Sequence, residues 1–537
     1  MTNIIKLRND ADYWFNKGVE YSDTKEYLKA LDCFSKALEK DSKDVDVLLE
    51  MAGCYTMLKE YDTAVSLYYK VLTIDEKCEI AFIGLISVFI EQNKDLEAVY
   101  YIQHCMDNGI VGDDYEINVS TKGPNKFKIL DRYDKSATIT VARRLLLNGE
   151  YEYAHSLLKN VPKQSPQYLE SLNLIAMIYL GQEKYINSAM VCDEVLAINP
   201  VDVYALTTKI VCMYYLDNKL EMNKALTVVD GLNLTEKAEI NKIAVCMQQI
   251  KDDARALVYF KKLLDFTPTD KNANLAVAIL EHNLNNNATS HSIMVKLNKL
   301  YHFDDVVNFY TKELYYNNER FDVVFDLPHK EQMRRINIIE DVLTKKSTIH
   351  RITDYAKKNK DFYDLIKWLL MSNQVLISAH VADFLAQHTY WHPLLREVFA
   401  SPSVNFFAKR ESLGTFLQYA QRKSFVLYVQ DYLQFCKVKR PPSNVCEVLE
   451  IAYYKVYASL VFITPEITKE FYKKFKDFCI LVGEKKLLEV TDDATIFSAL
   501  FAYSTKLHPI FESVNLLCEL FKADKELLKD YIKEIFQ

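Results

Sequence analysis

The sequence predicts a predominantly all-α protein, a helical solenoid followed by a helical C-terminal region with one small β-hairpin. Three observations predict it. Only 11 Gly and 12 Pro occur in 537 residues, about a third of the usual combined share of roughly 12%. Folds built from many tight turns are therefore excluded, as is an enzyme built around a Gly-rich phosphate loop. One set of residue types recurs every 34 residues through the first half of the chain, and a period of that length marks stacked helix pairs. Half of the residues are hydrophobic and 26% are charged, a balance that supports a large core and excludes extended disorder.

The unit 11–44 sets the pattern with Trp14, Gly18, Tyr21, Ala30, Phe34 and Ala37. These residues and offsets resemble the tetratricopeptide repeat, a 34-residue helix-turn-helix unit. Lys17 stands where that family usually has Leu, and Ser42 where it usually ends in Pro. Units at 45–78, with Leu48, Tyr55 and Ala64, and at 79–112, with Phe82, Phe89 and Ala98, follow in phase. A polar insertion at 113–134 holds the turn signal Gly123-Pro124. The phase resumes at 135–168, with Ala142, Ala154 and Pro166, and at 169–202, with Ala176, Tyr179, Ser188 and Pro200. Residues 203–236 are degenerate, and 237–270 recover the pattern with Ala244, Ala256, Phe260 and Pro268. Ala30, Ala64, Ala98, Ala154 and Ala256 fall where the two helices of a unit press together and only a small side chain fits. Trp14, Tyr21 and Phe34 fill the gap between neighbouring pairs. Pro166, Pro200 and Pro268 end the second helix, because Pro cannot continue its hydrogen-bond ladder. The solenoid is assigned to 1–270, and the resemblance implies a right-handed superhelix.

Beyond 270 the residue pattern fades, and Asn283 to Asn287 reads as a polar loop. Apolar spacing of three to four residues continues through 271–420, read as diverged helical repeats without a Gly between Gly231 and Gly414. Residues 421–537 form the C-terminal region. Within it, 424–440 alternates residues with high strand propensity and closes on Pro441-Pro442, which predicts a β-hairpin. The last helices are spaced loosely like a DNA-binding helix-turn-helix. Lys522 stands where that motif usually has Gly, and Lys525, Lys529 and Lys533 alternate with Glu526, Asp530 and Glu534. Phosphate contacts favour a basic face, so this near-neutral helix argues against nucleic acid.

No constellation for catalysis appears. His388 and His392 are four apart, yet Pro393 disfavours helical geometry at His392 and no Glu adjoins His388. A metal site is not expected there, and Trp391 and His380 are assigned to the core or its rim. No cofactor is implied. The 11 Cys are scattered, none in a Cys-x-x-Cys pair, and Cys33, Cys54, Cys105 and Cys212 read as buried free thiols in a reducing cytoplasm. The net charge of -7 gives no nucleic-acid footprint. The first residues become charged before an apolar stretch forms, so neither a signal peptide nor a membrane span is expected.

The resemblance implies that the first helices line a concave groove that takes up peptides. The groove positions are then Phe15, Val19, Leu49, Gly53, Ile83, Ser87, Arg143, Leu146, Asn173, Met177, Asn241 and Gln248. Asn173 and Asn241 occupy one repeat position, and Asn can bond a peptide backbone as donor and acceptor. Chaperone-binding members carry a Lys/Asn/Arg clamp for a C-terminal carboxylate. The matching positions here are Phe15, Val19, Glu50, Ile80 and Gly84, so that mode is not expected. The resulting expectation is a non-catalytic protein–protein interaction scaffold with an unidentified protein or peptide partner. The rival expectations are a peptide-responsive regulator with a C-terminal DNA-binding segment, and an accessory subunit of an enzyme complex.

Overall fold

Six helices of the array begin on a side chain that satisfies their first free N–H groups. Asp44, Asp202, Asn218, Asp252, Asp270 and Asp304 all accept from backbone N–H groups two or three residues ahead. Such a cap contributes about 1 kcal/mol. In the computed structural model, the described residues are 11–110, 139, 142, 143, 146 and 151–537, apart from 93, 303, 318, 422, 430, 431, 463–467, 490, 508 and 537. The expected insertion 113–134 lies outside them. They form 27 α-helices and one two-stranded antiparallel sheet, so the predominantly all-α class with one hairpin holds.

The period is carried by the backbone more strictly than by the side chains. Helix pairs run Ala11–Asp23 with Tyr27–Leu38, Val45–Met57 with Tyr61–Ile74, and Glu79–Glu91 with Asp95–Asp107. After Tyr151–Leu158 come Tyr168–Gly181 with Tyr185–Ile198, Val203–Tyr215 with Lys219–Asp230, and Lys237–Gln249 with Asp253–Phe266. The degenerate stretch 203–236 is thus an ordinary pair; its small-residue position holds Met222 instead of Ala. An eighth pair, Lys271–Asn283 with Asn287–Leu300, continues the 34-residue spacing, and buried Ser290 stands 34 positions after Ala256. The polar run at 283–287 is the connection between the two helices: 284–286 lie outside helix, and Asn283 and Asn287 are the flanking helix ends.

Between the helices of a pair, one residue adopts the left-handed conformation that usually selects Gly. These residues are Lys25, Lys59, Glu183, Asp217, Lys251 and Asn285, with φ from 52 to 64, spaced by 34 within each run. The next residue in each turn donates its N–H five residues back, as Glu26 does to Tyr21 and Asn286 to Glu281, at 2.8 Å. That main-chain bond closes the turn without a Gly, which is how an array of this length forms from so few glycines.

The chain divides into two compact units. The first contains residues 1–67 and 128–331. Ala30, Ala154 and Ala256 are fully buried between the helices of their pairs. A Cβ on Gly18 would come within 2.5 Å of the Phe34 ring, so the close approach there requires Gly. Residues 45–60 lie against the eighth pair: Tyr55 stacks on Tyr301 at 6.0 Å and donates to the Leu300 carbonyl, and Thr269 donates to the Leu58 carbonyl at 3.1 Å.

The second unit contains residues 68–127 and 332–537. Its hairpin pairs β1 (Ser424–Val429) with β2 (Tyr432–Lys437), in register Ser424↔Lys437 to Val429↔Tyr432. Both strands are mostly buried, so their residues do not alternate in exposure. The outer edge of β2 is closed by tyrosines of the third pair. Leu433 N–H donates to the Tyr101 hydroxyl at 3.1 Å, and Tyr100 donates to the Leu433 carbonyl at 3.3 Å. His104 stacks on Phe435 at 4.1 Å. Trp391 is fully buried and donates its indole N–H to Thr353 at 3.0 Å, whereas His380 is exposed. His392 is helical, φ -58 and ψ -37, against the expectation drawn from Pro393. It opens the helix His392–Ala400, where its ring nitrogen bonds the Ala386 carbonyl at 2.8 Å and holds it in place.

Candidate functional site

In the first unit, helix Asp305–Tyr316 ends at Asn317, which is extended with φ -114 and ψ 135. The described residues from 319 to 328 are outside helix, and the next helix begins at His329. The intervening sequence Phe-Asp-Val-Val-Phe-Asp-Leu, 321–327, places an apolar residue at every second position, 321, 323, 325 and 327, the period of an extended backbone. Val323 and Leu327 are buried at 2% and 1% exposure, while Asp322 and Phe325 remain exposed. Phe325 meets the edge of Phe260 at 6.2 Å.

Three carbonyls of this segment, at alternate positions, are held by side chains from the ends of two first helices. The His282 ring nitrogen Nε2 lies 3.1 Å from the Glu319 carbonyl, so it carries the proton and donates. Asn283 donates Nδ2 to the Phe321 carbonyl at 2.8 Å and accepts the Phe321 N–H on Oδ1 at 3.0 Å. Gln248 donates to the Val323 carbonyl. Successive residues of an extended chain point their carbonyls to opposite sides, so this is a one-sided reading of the backbone. Gln248 and His282 stand 34 apart, at one repeat position.

One side chain is also read by its charge. Arg320 donates Nε and Nη2 to the two oxygens of Asp253 at 3.1 and 2.9 Å, a bidentate pair. These hydrogen bonds to Asp253 raise the Arg320 pKa further, against a smaller loss from burial. Asp253 also accepts from Asn283 at 3.2 Å, so the same amide is tied to the backbone and to the charge pair. The Phe321 ring meets His282 and the buried Tyr310 edge to face, at 5.6 and 6.0 Å. Burial raises the Tyr310 pKa, so its hydroxyl stays protonated at neutral pH.

Of the groove positions read from the sequence, Gln248 lies in this cradle. Asn173 donates to Asp202, the cap of helix Val203–Tyr215, at 3.2 Å. Met177 and Leu146 pack on one apolar cluster around Ala142 and Ala154, and Arg143 pairs with Glu170. Asn241 is exposed, and Phe15, Val19, Leu49 and Gly53 are partly exposed on the first two first-helices. Phe15 lies 6.0 Å from Phe34. Ile83 and Ser87 belong to the second unit. Sequence reasoning missed Asp253, His282, Asn283 and Arg320. Continuing the 34-residue offset from Gln248 reaches His282, and the strand-like alternation at 321–327 marks the segment.

Among the described residues, no group of three or more His, Cys, Asp or Glu is placed to hold a metal ion. His388 accepts from the Tyr390 N–H at 3.2 Å. A cleft in the second unit is lined by Lys423, Arg440, Glu450 and Tyr454. Its two cations bond main-chain carbonyls, Lys423 that of Gln418 at 3.3 Å and Arg440 that of Gln421 at 2.9 Å. On the last helix, Lys529 donates to Glu526 at 2.8 Å. Among the described residues, no helix is long and apolar enough to cross a membrane.

A family model described as tetratricopeptide repeat matches residues 11–44. The TPR repeat-containing protein YvcD of Bacillus subtilis (strain 168) is 20% identical over 229 residues, 40% of this chain and 46% of the relative. The chain thus spans about half the length of that curated relative. Among solved structures, the human IFIT1 dimer with PPP-AAAA is similar at 13% identity, with a TM-score of 0.27, over 78% of this chain and 95% of that one. A tetratricopeptide repeat protein from Parabacteroides merdae ATCC 43184 is similar at 12% identity, with a TM-score of 0.24, over 57% of this chain and 98% of that one.

Proposed function

We propose that this chain, whose N-terminal half carries tetratricopeptide repeats, is a non-catalytic protein-interaction scaffold that takes up extended segments on its first helices. One observation carries the reading. Gln248 and His282, at one repeat position, and Asn283 beside them hold three alternate carbonyls of an extended segment, from Glu319 to Val323. Main-chain bonds of this kind supply affinity without demanding one sequence, and neighbouring side-chain contacts supply selectivity. Phe15, Val19, Leu49 and Asn241 in the first unit, and Ile83 and Ser87 in the second, are exposed or partly exposed first-helix positions of the same kind. Eight buried free thiols support a reducing compartment, hence a cytoplasmic location.

The test is affinity capture of the tagged full chain from its own cells, with partners identified by mass spectrometry. A Phe15→Asp/Ile83→Asp double variant is the comparison. Loss of partners from a variant that still melts cooperatively supports groove binding. Retention of every partner sinks it.

A further inference from the structure

Within the scaffold reading, on which this rests, we propose that residues 319–327 are a built-in ligand. They fill a peptide site formed by Gln248, Asp253, His282 and Asn283. The site's external partner is then an extended segment carrying an arginine followed by an aromatic residue.

The contacts distinguish a ligand from a linker. An ordinary linker is held by its ends or by turns of its own. This segment is held along its length by side chains of other helices, at the carbonyls of Glu319, Phe321 and Val323. The residues that hold it sit at the ends of first helices 34 positions apart, on the surface the array repeats. Selectivity comes from two neighbouring side chains. Arg320 enters a bidentate pair with Asp253, whose side chain is only 15% exposed, and Phe321 lies against His282 and Tyr310.

The attachment is also shallow enough to be exchanged. Only Val323 and Leu327 of the segment are fully buried, and Asp322 and Phe325 face solvent. Two buried aliphatic side chains amount to a modest apolar contribution. Tethering sets the effective concentration of the segment on the order of millimolar. A competing segment succeeds by binding more tightly than that, or by arriving on a chain that is itself concentrated nearby.

The test uses the full chain and a fluorescent peptide with the sequence of residues 317–328. Anisotropy should show the peptide binding an Arg320→Ala/Phe321→Ala variant about tenfold more tightly than the wild type, whose site is filled. Adding Asp253→Ala to that variant should remove the binding, and a peptide with Ala in place of its arginine should compete poorly. Equal binding to both chains, or binding to neither, overturns the proposal, as does a double variant that no longer melts cooperatively. Hydrogen exchange on the wild type gives a second, independent reading. The Phe321 amide should exchange roughly 100-fold faster than amides in Leu275–Leu280, through local release of the segment; equal rates overturn displacement. Partner capture through Phe15 and Ile83 proceeds independently of all these outcomes, so failure here and failure of the scaffold reading are separable.

Discussion

Asn283 satisfies both main-chain groups of Phe321 with one carboxamide: Nδ2 donates to the carbonyl at 2.8 Å and Oδ1 accepts the N–H at 3.0 Å. Removing it strips two partners from a half-buried backbone, at about 1–3 kcal/mol for each group left unsatisfied. Asn283→Ala should therefore lower the protection of the 319–327 amides against hydrogen exchange by roughly tenfold or more. Asn283→Asp should lower it further, because it removes the donor and places a carboxylate beside Asp253. Unchanged protection in both variants would contradict the assignment.

Two Gly→Ala changes should have opposite signs. At Gly18 the new methyl would lie 2.5 Å from the Phe34 ring. Overpacking of that kind costs about 1–3 kcal/mol, against a gain in helix propensity of about 1 kcal/mol. At Gly53 nothing lies within 4 Å, so Gly53→Ala should stabilise by about 0.5–1 kcal/mol. Urea unfolding of the two variants beside the wild type checks the pair. A stabilised Gly18→Ala would show that Phe34 has room to move.

Tyr101 links the third helix pair to the hairpin. Its hydroxyl accepts the Leu433 N–H at 3.1 Å and bonds Tyr69 at 2.9 Å. Tyr101→Phe keeps the ring and leaves a buried N–H unsatisfied, so it should destabilise by about 1–3 kcal/mol. Tyr69→Phe spares that N–H and should cost less. Equal losses in thermal or urea unfolding would remove the special role of Tyr101.

Lys409 gives the fold a pH dependence. It is 1% exposed and donates to the carbonyls of Ser401 at 2.6 Å and Tyr428 at 3.2 Å. Burial pushes its pKa down to about 7, from 10.5 in an exposed lysine. Between those values the unfolded chain binds one more proton than the folded chain, so this residue makes stability rise with pH, from about 7 towards 10.5, and weakens the fold below. The slope is at most about 1.4 kcal/mol per pH unit. Lys409→Met should remove that part of the slope between pH 7 and 9, measured as the difference from wild type in urea unfolding. Parallel slopes would rule it out.

Much of this architecture was legible because it rests on local chemistry. The small residues at the helix crossings and the alternation in 424–437 each carry their own signal. The period beyond 270 was obscured because Ser290 took the Ala position; the polar run 283–287 does hold the connection, which is the ordinary turn between the two helices of a pair. The cradle was harder to read for a different reason. Asn283 and Phe321 are 38 residues apart and Asp253 and Arg320 are 67 apart, so no short window contains both partners. Gln248 was found because its repeat position pointed inward; its partner Val323 carried no such mark. At His392 a local rule lost to a tertiary contact, the bond to Ala386.

The turns at 25, 59, 183, 217, 251 and 285 have a consequence for how this chain can drift through evolution. They are closed by main-chain bonds and occupied by Lys, Glu, Asp or Asn, so their letters can change while the frame persists. The spacing of the helices extends to 300, well past the point where the residue pattern fades. The repeat is carried here as an interval of backbone geometry, which a change of side chain in the turn leaves intact.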